Sequence, residues 1–255
     1  MDKKAIAEAA RLIRNSKHTV VLTGAGISTP SGIPDFRSPD YGMWSKYDPF
    51  EVASLWGFRE NPEAFYGWAR SLMDKVRNAR PNAAHISLAH LERAGYIQTI
   101  ITQNIDSLHE KAGSKHVLPL HGTIKTATCL DCGYRVPITE EFWEEVRKGG
   151  IPRCPKCGGL LKPDVVLFGE PLPYEALKEA QQEALLCDLM IVVGSSLMVM
   201  PAADLPALAK RRGSKLILIN LQWTTMDSQA DVLLREDAAK VLPKIEKLVL
   251  EGAGK

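Results

Sequence analysis

The chain has 255 residues, 45% of them hydrophobic and 24% charged, with 32 basic residues against 30 acidic ones. That apolar content at a net charge of +2 excludes bulk disorder, and the near balance of signs argues against a dedicated nucleic-acid binder, which needs a basic excess or stripe. No apolar run approaches the roughly 18 residues of a membrane span, and MDKKAIAEAARLIRNSKH has no apolar leader core, so the expected compartment is the cytoplasm.

The first predicted element is a helix on Ile6, Ala9, Ala10, Leu12 and Ile13, with Lys, Glu and Arg between them. Thr19 to Thr23 reads as a buried strand running into Gly24-Ala25-Gly26. Residues 38–81, rich in Pro, Tyr, Trp and Phe, predict a loop followed by short helices. A helix is expected over 82–94, stopped by Gly95, then a strand over 97–102, a short helix over 106–112 closed by Gly113, and a strand over 117–120. Residues 125–160 carry four cysteines. Beyond them the pattern gives a strand over 165–168, a helix over 173–186, a strand over 189–193, a helix over 202–212, strands over 215–220 and 231–234, and a last helix over 238–250.

Helices alternating with continuously apolar strands predict an α/β fold with a parallel sheet covered on both faces. Residues 38–81 and 125–160 break that rhythm and read as insertions forming a smaller domain. The large domain is then 1–37, 82–124 and 161–255.

Cys129-Leu-Asp-Cys132 and Cys154-Pro-Lys-Cys157 are two knuckles separated by 21 residues, with Pro155, Gly158 and Gly159 supplying turns. Four thiolates suit tetrahedral zinc. With every position filled by sulfur, such a zinc is structural, since a catalytic zinc keeps one position open. A redox pair and coincidence are the competing readings. Cys187, alone before an apolar strand, reads as a small core residue.

In open parallel sheets ligands bind beyond the carboxyl ends of the strands. Here those ends carry Gly24-Ala25-Gly26, Gln103-Asn104-Ile105-Asp106, His121-Gly122, Gly194-Ser195-Ser196 and Asn220. The glycine turn resembles a dinucleotide fingerprint without its third glycine, because Thr29 stands there. Its glycines would let backbone N–H groups approach a pyrophosphate at a helix N-terminus, with Arg37 as a charged donor. His121 reads either as a satisfied core histidine or as a base in the cleft, and Asn104 and Asp106 either as helix caps or as ligand contacts.

Taken together, Gly24-Ala-Gly-Ile-Ser28, Gly32-Ile-Pro-Asp-Phe-Arg37, Thr102-Gln-Asn-Ile-Asp-Ser-Leu-His109, Leu120-His-Gly122, the four cysteines, Pro163-Asp-Val-Val-Leu-Phe-Gly-Glu170, Gly194-Ser-Ser196 and Asn220 resemble the sirtuins, the NAD-dependent protein lysine deacylases. The resemblance implies a Rossmann-like fold in which NAD is consumed as a substrate. It places Gly24, Ala25, Gly26, Ile33, Phe36, Arg37, Gln103, Asn104, Ile105, Asp106, Gly194, Ser195, Ser196 and Asn220 on NAD. It makes His121 the general base, with Asn104 holding the ribose or an ordered water, and it makes Cys129, Cys132, Cys154 and Cys157 the zinc ligands. It puts Val166, Phe168, Gly169, Glu170, Val199 and Met200 where the backbone of an acetylated-lysine peptide pairs by strand addition.

The implied reaction breaks the nicotinamide–ribose bond with an amide oxygen, passes the acyl group to ADP-ribose and frees the lysine. Some relatives that prefer acidic acyl groups carry a Tyr-x-x-Arg pair in the inserted helices. Here Arg70 follows Tyr66 one place late, about 100° away on a helix, so neutral acyl groups, acetyl first, are expected. An NAD-dependent protein ADP-ribosyltransferase is the alternative; a dehydrogenase and a nucleic-acid-binding zinc ribbon are weaker ones.

Overall fold

The structure, a computed structural model, describes residues 2–36, 38 and 42–252. In chain order these form α1 (Lys3–Asn15), β1 (Thr19–Thr23), α2 (Pro49–Val52), α3 (Leu55–Glu60), α4 (Pro62–Asn78), α5 (Ala83–Arg93), β2 (Thr99–Thr102), α6 (Leu108–Ala112) and β3 (Val117–Pro119). They continue as β4 (Gly122–Cys129), β5 (Arg135–Pro137), α7 (Glu140–Arg147), β6 (Leu161–Val165), α8 (Tyr174–Leu186), β7 (Leu189–Val193), α9 (Leu205–Arg211), β8 (Lys215–Ile219), β9 (Val232–Leu234) and α10 (Ala238–Glu251).

The chain separates into two compact units. The larger holds the described residues of 1–32, 80–120 and 174–255, the smaller those of 33–79 and 121–173. Against the segments expected from sequence, 33–36, 121–124 and 161–173 fall in the smaller unit and 80–81 in the larger.

The larger unit is a six-stranded, all-parallel sheet in the order β3-β2-β1-β7-β8-β9. Counted within the sheet alone, that is the doubly wound Rossmann order, with its switch point between β1 and β7. All five residues of β1 and of β7 are buried, because each is a central strand covered on both faces. Alternate residues Val21, Ile100, Ile191, Val193, Ile217 and Ile219 share one core with Ile6, Ala9 and Ile13 of α1, Leu88 and Leu91 of α5, and Val241, Leu242 and Ile245 of α10. The residues between them, including Leu22, Ile101, Val192 and Leu218, are also fully buried, and α8 and α9 pack together with α9 against β7 and β8. The first helix begins where Asp2 accepts from the N–H groups of Lys4 and Ala5.

The smaller unit joins α2, α3, α4 and α7 to a three-stranded antiparallel sheet in the order β5-β4-β6. Its core is aromatic: Phe58, Phe65, Tyr66, Phe142 and Trp143 pack with ring centroids 4.8–6.4 Å apart. Two features correct the sequence reading. The helices within 38–81 include one of 17 residues, α4, whose buried stripe runs from Phe65 to Val76. The strand expected over 165–168 lies instead at Leu161–Val165 and belongs to the small sheet, pairing with β4 through Gly122–Val165 and Cys129–Leu161. Val166 to Phe168 continues as irregular chain, with an isolated bridge from Phe168 to Ser54.

Candidate functional site

At the carboxyl rim of the large sheet, the turns after β1, β2 and β7 are bonded to one another. The Gly24 N–H donates to Val193 O at 3.1 Å and the Gly26 N–H to Gly194 O at 2.8 Å. A Cβ on Gly26 would stand 2.8 Å from Gly194 Cα, and one on Gly194, at φ +62°, 2.3 Å from the Ile27 nitrogen. These glycines are therefore required by the crossing of two backbones. The helix expected to follow them is a single 3₁₀ turn, Ala25–Ile27, so the pyrophosphate-binding α-helix N-terminus inferred from the sequence is not what this turn builds.

The turn after β2 carries most of the polar chemistry. Asn104 Nδ2 donates to Gly24 O and Ser28 Oγ, both at 3.1 Å, and the Asn104 N–H donates to Thr102 Oγ1 at 3.1 Å. Gln103 Nε2 donates to Ser195 Oγ at 2.8 Å, tying this turn to the one after β7. Asp106 is buried; its Oδ2 accepts from Ser28 Oγ at 2.7 Å and its Oδ1 from the Leu108 N–H at 2.9 Å. Burial raises the Asp106 carboxyl above its ordinary value, partly offset by those two bonds. The N-cap of α6 is Ser107, which makes no side-chain cap bond, so Asp106 stands one place before the expected cap and bonds the first helical N–H from there. Ile105 and Ser196 are half-buried beside this rim, and the Asn220 side chain donates to Gln222 O at 2.9 Å. Among the expected peptide contacts, Val199 is half-buried and Met200 is 59% exposed, both on the segment after β7.

The other expected residues lie in the smaller unit. His121, half-buried, precedes β4, and its carbonyl accepts from the Val166 N–H at 2.9 Å. Gly122 cannot be replaced there: its φ is +77° and a Cβ would stand 2.0 Å from Asp164 O. The Phe168 N–H donates to Ala53 O and its carbonyl accepts from the Leu55 N–H, so the 166–168 segment is fixed from both directions. Gly169, exposed at φ +87°, makes the following turn, and Glu170 closes it by accepting from the Leu167 N–H at 2.8 Å and from Lys162 Nζ at 3.0 Å. Phe36 packs on Trp44 at 5.1 Å, Trp44 stacks on Trp68 at 6.0 Å, and Ile33 is buried. Arg37 lies outside the described residues.

The four knuckle cysteines bring their sulfurs within 4.8 Å of one another. Separations of 3.5, 3.7 and 3.3 Å stand near the edge of about 3.8 Å that a tetrahedron with zinc–sulfur bonds of about 2.3 Å requires. Gly133 and Gly158, at φ +69° and +75°, form the two knuckle turns. The Cys129 thiol is lowered, chiefly by the backbone N–H of Cys132, and the fit to a metal rests on the sulfur geometry. The donor set fits one structural zinc. Cys187, as expected, is buried in the core of the larger unit.

Three polar residues of consequence were not singled out from the sequence. His85 sits at the third position of α5 and accepts through Nδ1 from the Asn82 N–H, a role usually filled by Glu or Gln. Asn82-x-x-His85 was the available signal. His109 and Thr102, quoted above only as parts of a motif, are buried behind Asn104.

The Sir2 family model matches residues 24–201. NAD-dependent protein deacylase 2 of Archaeoglobus fulgidus is 53% identical over 241 residues, 94% of this chain and 94% of that protein. NAD-dependent protein deacetylase 2 of Caldanaerobacter subterraneus subsp. tengcongensis is 48% identical over 254 residues, 98% of each. A solved Sir2 enzyme superposes with a TM-score of 0.93 at 50% identity over 98% of this chain and 99% of the other. A Sir2 enzyme bound to a propionylated peptide superposes with a TM-score of 0.87 at 40% identity over the full length of both.

Proposed function

This chain belongs to the Sir2 family, and from that premise we propose that it removes acetyl, and longer apolar acyl, groups from protein lysines at the expense of NAD, giving nicotinamide, O-acyl-ADP-ribose and free lysine. The observation that carries this reading is the bonded rim at the ends of β1, β2 and β7, where Asn104, Gln103 and Asp106 are held rigidly against two glycine turns.

When bound, NAD supplies a glycosidic carbon for the acyl oxygen to attack. Catalysis of such a step rests on positioning and charge complementarity. Asp106, fixed from two directions, would hold the nicotinamide carboxamide, with Ile105 beside it as an apolar wall. Asn104 presents its amide to the ribose or to an ordered water. Ser195, Ser196 and Asn220 take the adenosine half. Phe36, backed by Trp44 and Trp68, keeps out the water that would hydrolyse NAD. His121 would accept a ribose hydroxyl proton, so that the neighbouring hydroxyl could take the acyl group. The 166–168 segment would offer main chain to the peptide.

Cys129, Cys132, Cys154 and Cys157 would hold a structural zinc that supports the small sheet and, with no open position, takes no part in the chemistry. Four cysteine thiolates reserved for a metal require reducing surroundings, so we place the protein in the cytoplasm. ADP-ribosyl transfer to protein is not favoured, since the relatives above are named deacylases and deacetylases. Mass spectrometry of an acetylated peptide with and without NAD tests the reading: loss of the acetyl mass and appearance of O-acetyl-ADP-ribose only with NAD is expected. An unchanged peptide would overturn it.

A further inference from the structure

Behind Asn104 lies a dry pair of histidines that the reaction as described does not use. His85 and His109 are 0% and 1% exposed, with ring centroids 4.9 Å apart in an edge-to-face arrangement. Each carries one buried nitrogen without a partner, Nε2 on His85 and Nδ1 on His109.

The other two nitrogens fix what these orphans are. His85 Nδ1 faces the backbone N–H of Asn82 at 3.4 Å. A backbone N–H only donates, so Nδ1 holds the lone pair and the proton sits on Nε2. His109 Nε2 lies 2.9 Å from Thr23 Oγ1. Were the His109 proton on Nδ1, two unsatisfied N–H donors would be buried on adjacent rings, each at a desolvation cost of about 1–3 kcal/mol. With the proton on Nε2, only the His85 N–H is left an unsatisfied donor, and His109 donates to Thr23.

The remaining bonds then run one way. Thr23, accepting from His109, donates to Thr102 Oγ1 at 2.8 Å, and Thr102 Oγ1 also accepts the Asn104 N–H at 3.1 Å. Every group in this chain is buried except the Asn104 end, which is half-buried at the rim.

We propose that His85 and His109 form a neutral, tautomer-locked pair, both protonated on Nε2, and that His109 is a positioning residue for the NAD-consuming step, holding Asn104 in place through Thr23 and Thr102. The inference rests on the deacylase reading given above. Burial supports it by holding both rings neutral well below the ordinary histidine range. His109 touches no reactant; it orients the hydroxyls that fix the turn on which Asn104 is carried.

Long-range nitrogen–proton correlation spectra of the histidine-labelled protein at pH 7 test the tautomers, with only six histidines to assign. Both rings are expected neutral and Nε2-protonated; an imidazolium, or a proton on His109 Nδ1, overturns the proposal. Nicotinamide exchange, compared at equal zinc content and equal folded fraction, tests the positioning. His109→Leu is expected to lower kcat about 10-fold or more, the equivalent of one lost hydrogen bond, with KM for NAD moving less. His109→Gln, which keeps an N–H within reach of Thr23, is expected to retain kcat within about threefold. Equal kcat in the two variants, or a wild-type kcat in the Leu variant, overturns it. If the Leu variant does not fold, the spectra of the wild-type protein still decide. A wild-type protein inert toward acetylated peptide would sink the deacylase reading; an active one with the wrong tautomer, or with an indifferent Leu variant, sinks only this inference.

Discussion

The Ser28 hydroxyl donates to Oδ2 of Asp106 at 2.7 Å, joining residues 78 positions apart in sequence. This bond ties the turn after β1 to the turn after β2, and it uses one carboxylate oxygen while the other accepts from the Leu108 N–H at the start of α6. Asn at 106 offers one acceptor for two donors. Asp106→Asn is therefore expected to lower stability by about 1–3 kcal/mol and to slow nicotinamide exchange more than it weakens zinc retention. Thermal unfolding and exchange assays check this; unchanged exchange would remove Asp106 from the nicotinamide site.

His121→Ala is expected to leave fold and zinc intact and to reduce deacylation by ~10²–10⁴. Nicotinamide exchange should suffer less, because it precedes the proton transfer assigned to His121. Parallel measurement of both rates checks the role, and equal losses count against it.

Metal analysis is expected to find one zinc per chain. Cys154→Ser removes a ligand from a closed site and should lose the metal with the fold of the smaller unit, whereas Cys187→Ser, outside the cluster, should keep it. Chelator treatment should lower Tm. A well-folded preparation without metal would refute the site.

Acid stability follows from the histidine pair. Burial lowers His85 to about 4 and His109 to about 3, while the unfolded chain protonates both near ~6.5. Between those limits the unfolded state binds more protons than the native one, so stability falls as pH drops from ~6.5 toward 4. The raised Asp106 carboxyl acts in the opposite sense, but with one proton against two. A Tm that declines steadily over pH 6.5 to 5 is expected, and a flat profile would contradict the buried neutral pair.

The acyl preference has its own test. Tyr66 is 1% exposed and its hydroxyl donates to Leu161 O at 2.6 Å, while Arg70 is exposed. Neither is arranged to clamp an acidic acyl group. Acetylated peptide should turn over faster than its succinylated twin, and the reverse ranking in matched kinetics would overturn the assignment.

The central strands were legible because their surroundings are uniform. Thr19–Thr23 and Leu189–Val193 are apolar runs buried on both faces, and both bounds matched. The small sheet was not legible because its strands hold polar residues that only tertiary partners make buriable. In β6, Asp164 accepts from the hydroxyls of Thr126 and Thr128, and Lys162 meets Glu170. Pro163 is tolerated because β6 is an edge strand. The apolar run Val165-Val-Leu-Phe168 looked more like a strand than the true one, yet most of it serves as a bonded loop. At the rim, the motif residues were visible as a set. What lay behind them, the Thr23–Thr102 contact and the two histidine rings, depends on side-chain packing that periodicity does not encode.

Lys162 gives all its ammonium hydrogens to Pro163 O, Val165 O and Glu170 Oε2, at 3.0, 2.8 and 3.0 Å. Buried and engaged on three sides, the side chain has little room to acquire an acyl group of its own. A protein whose trade is modified lysine thus carries, at the foot of its 166–168 segment, a lysine withheld from that chemistry.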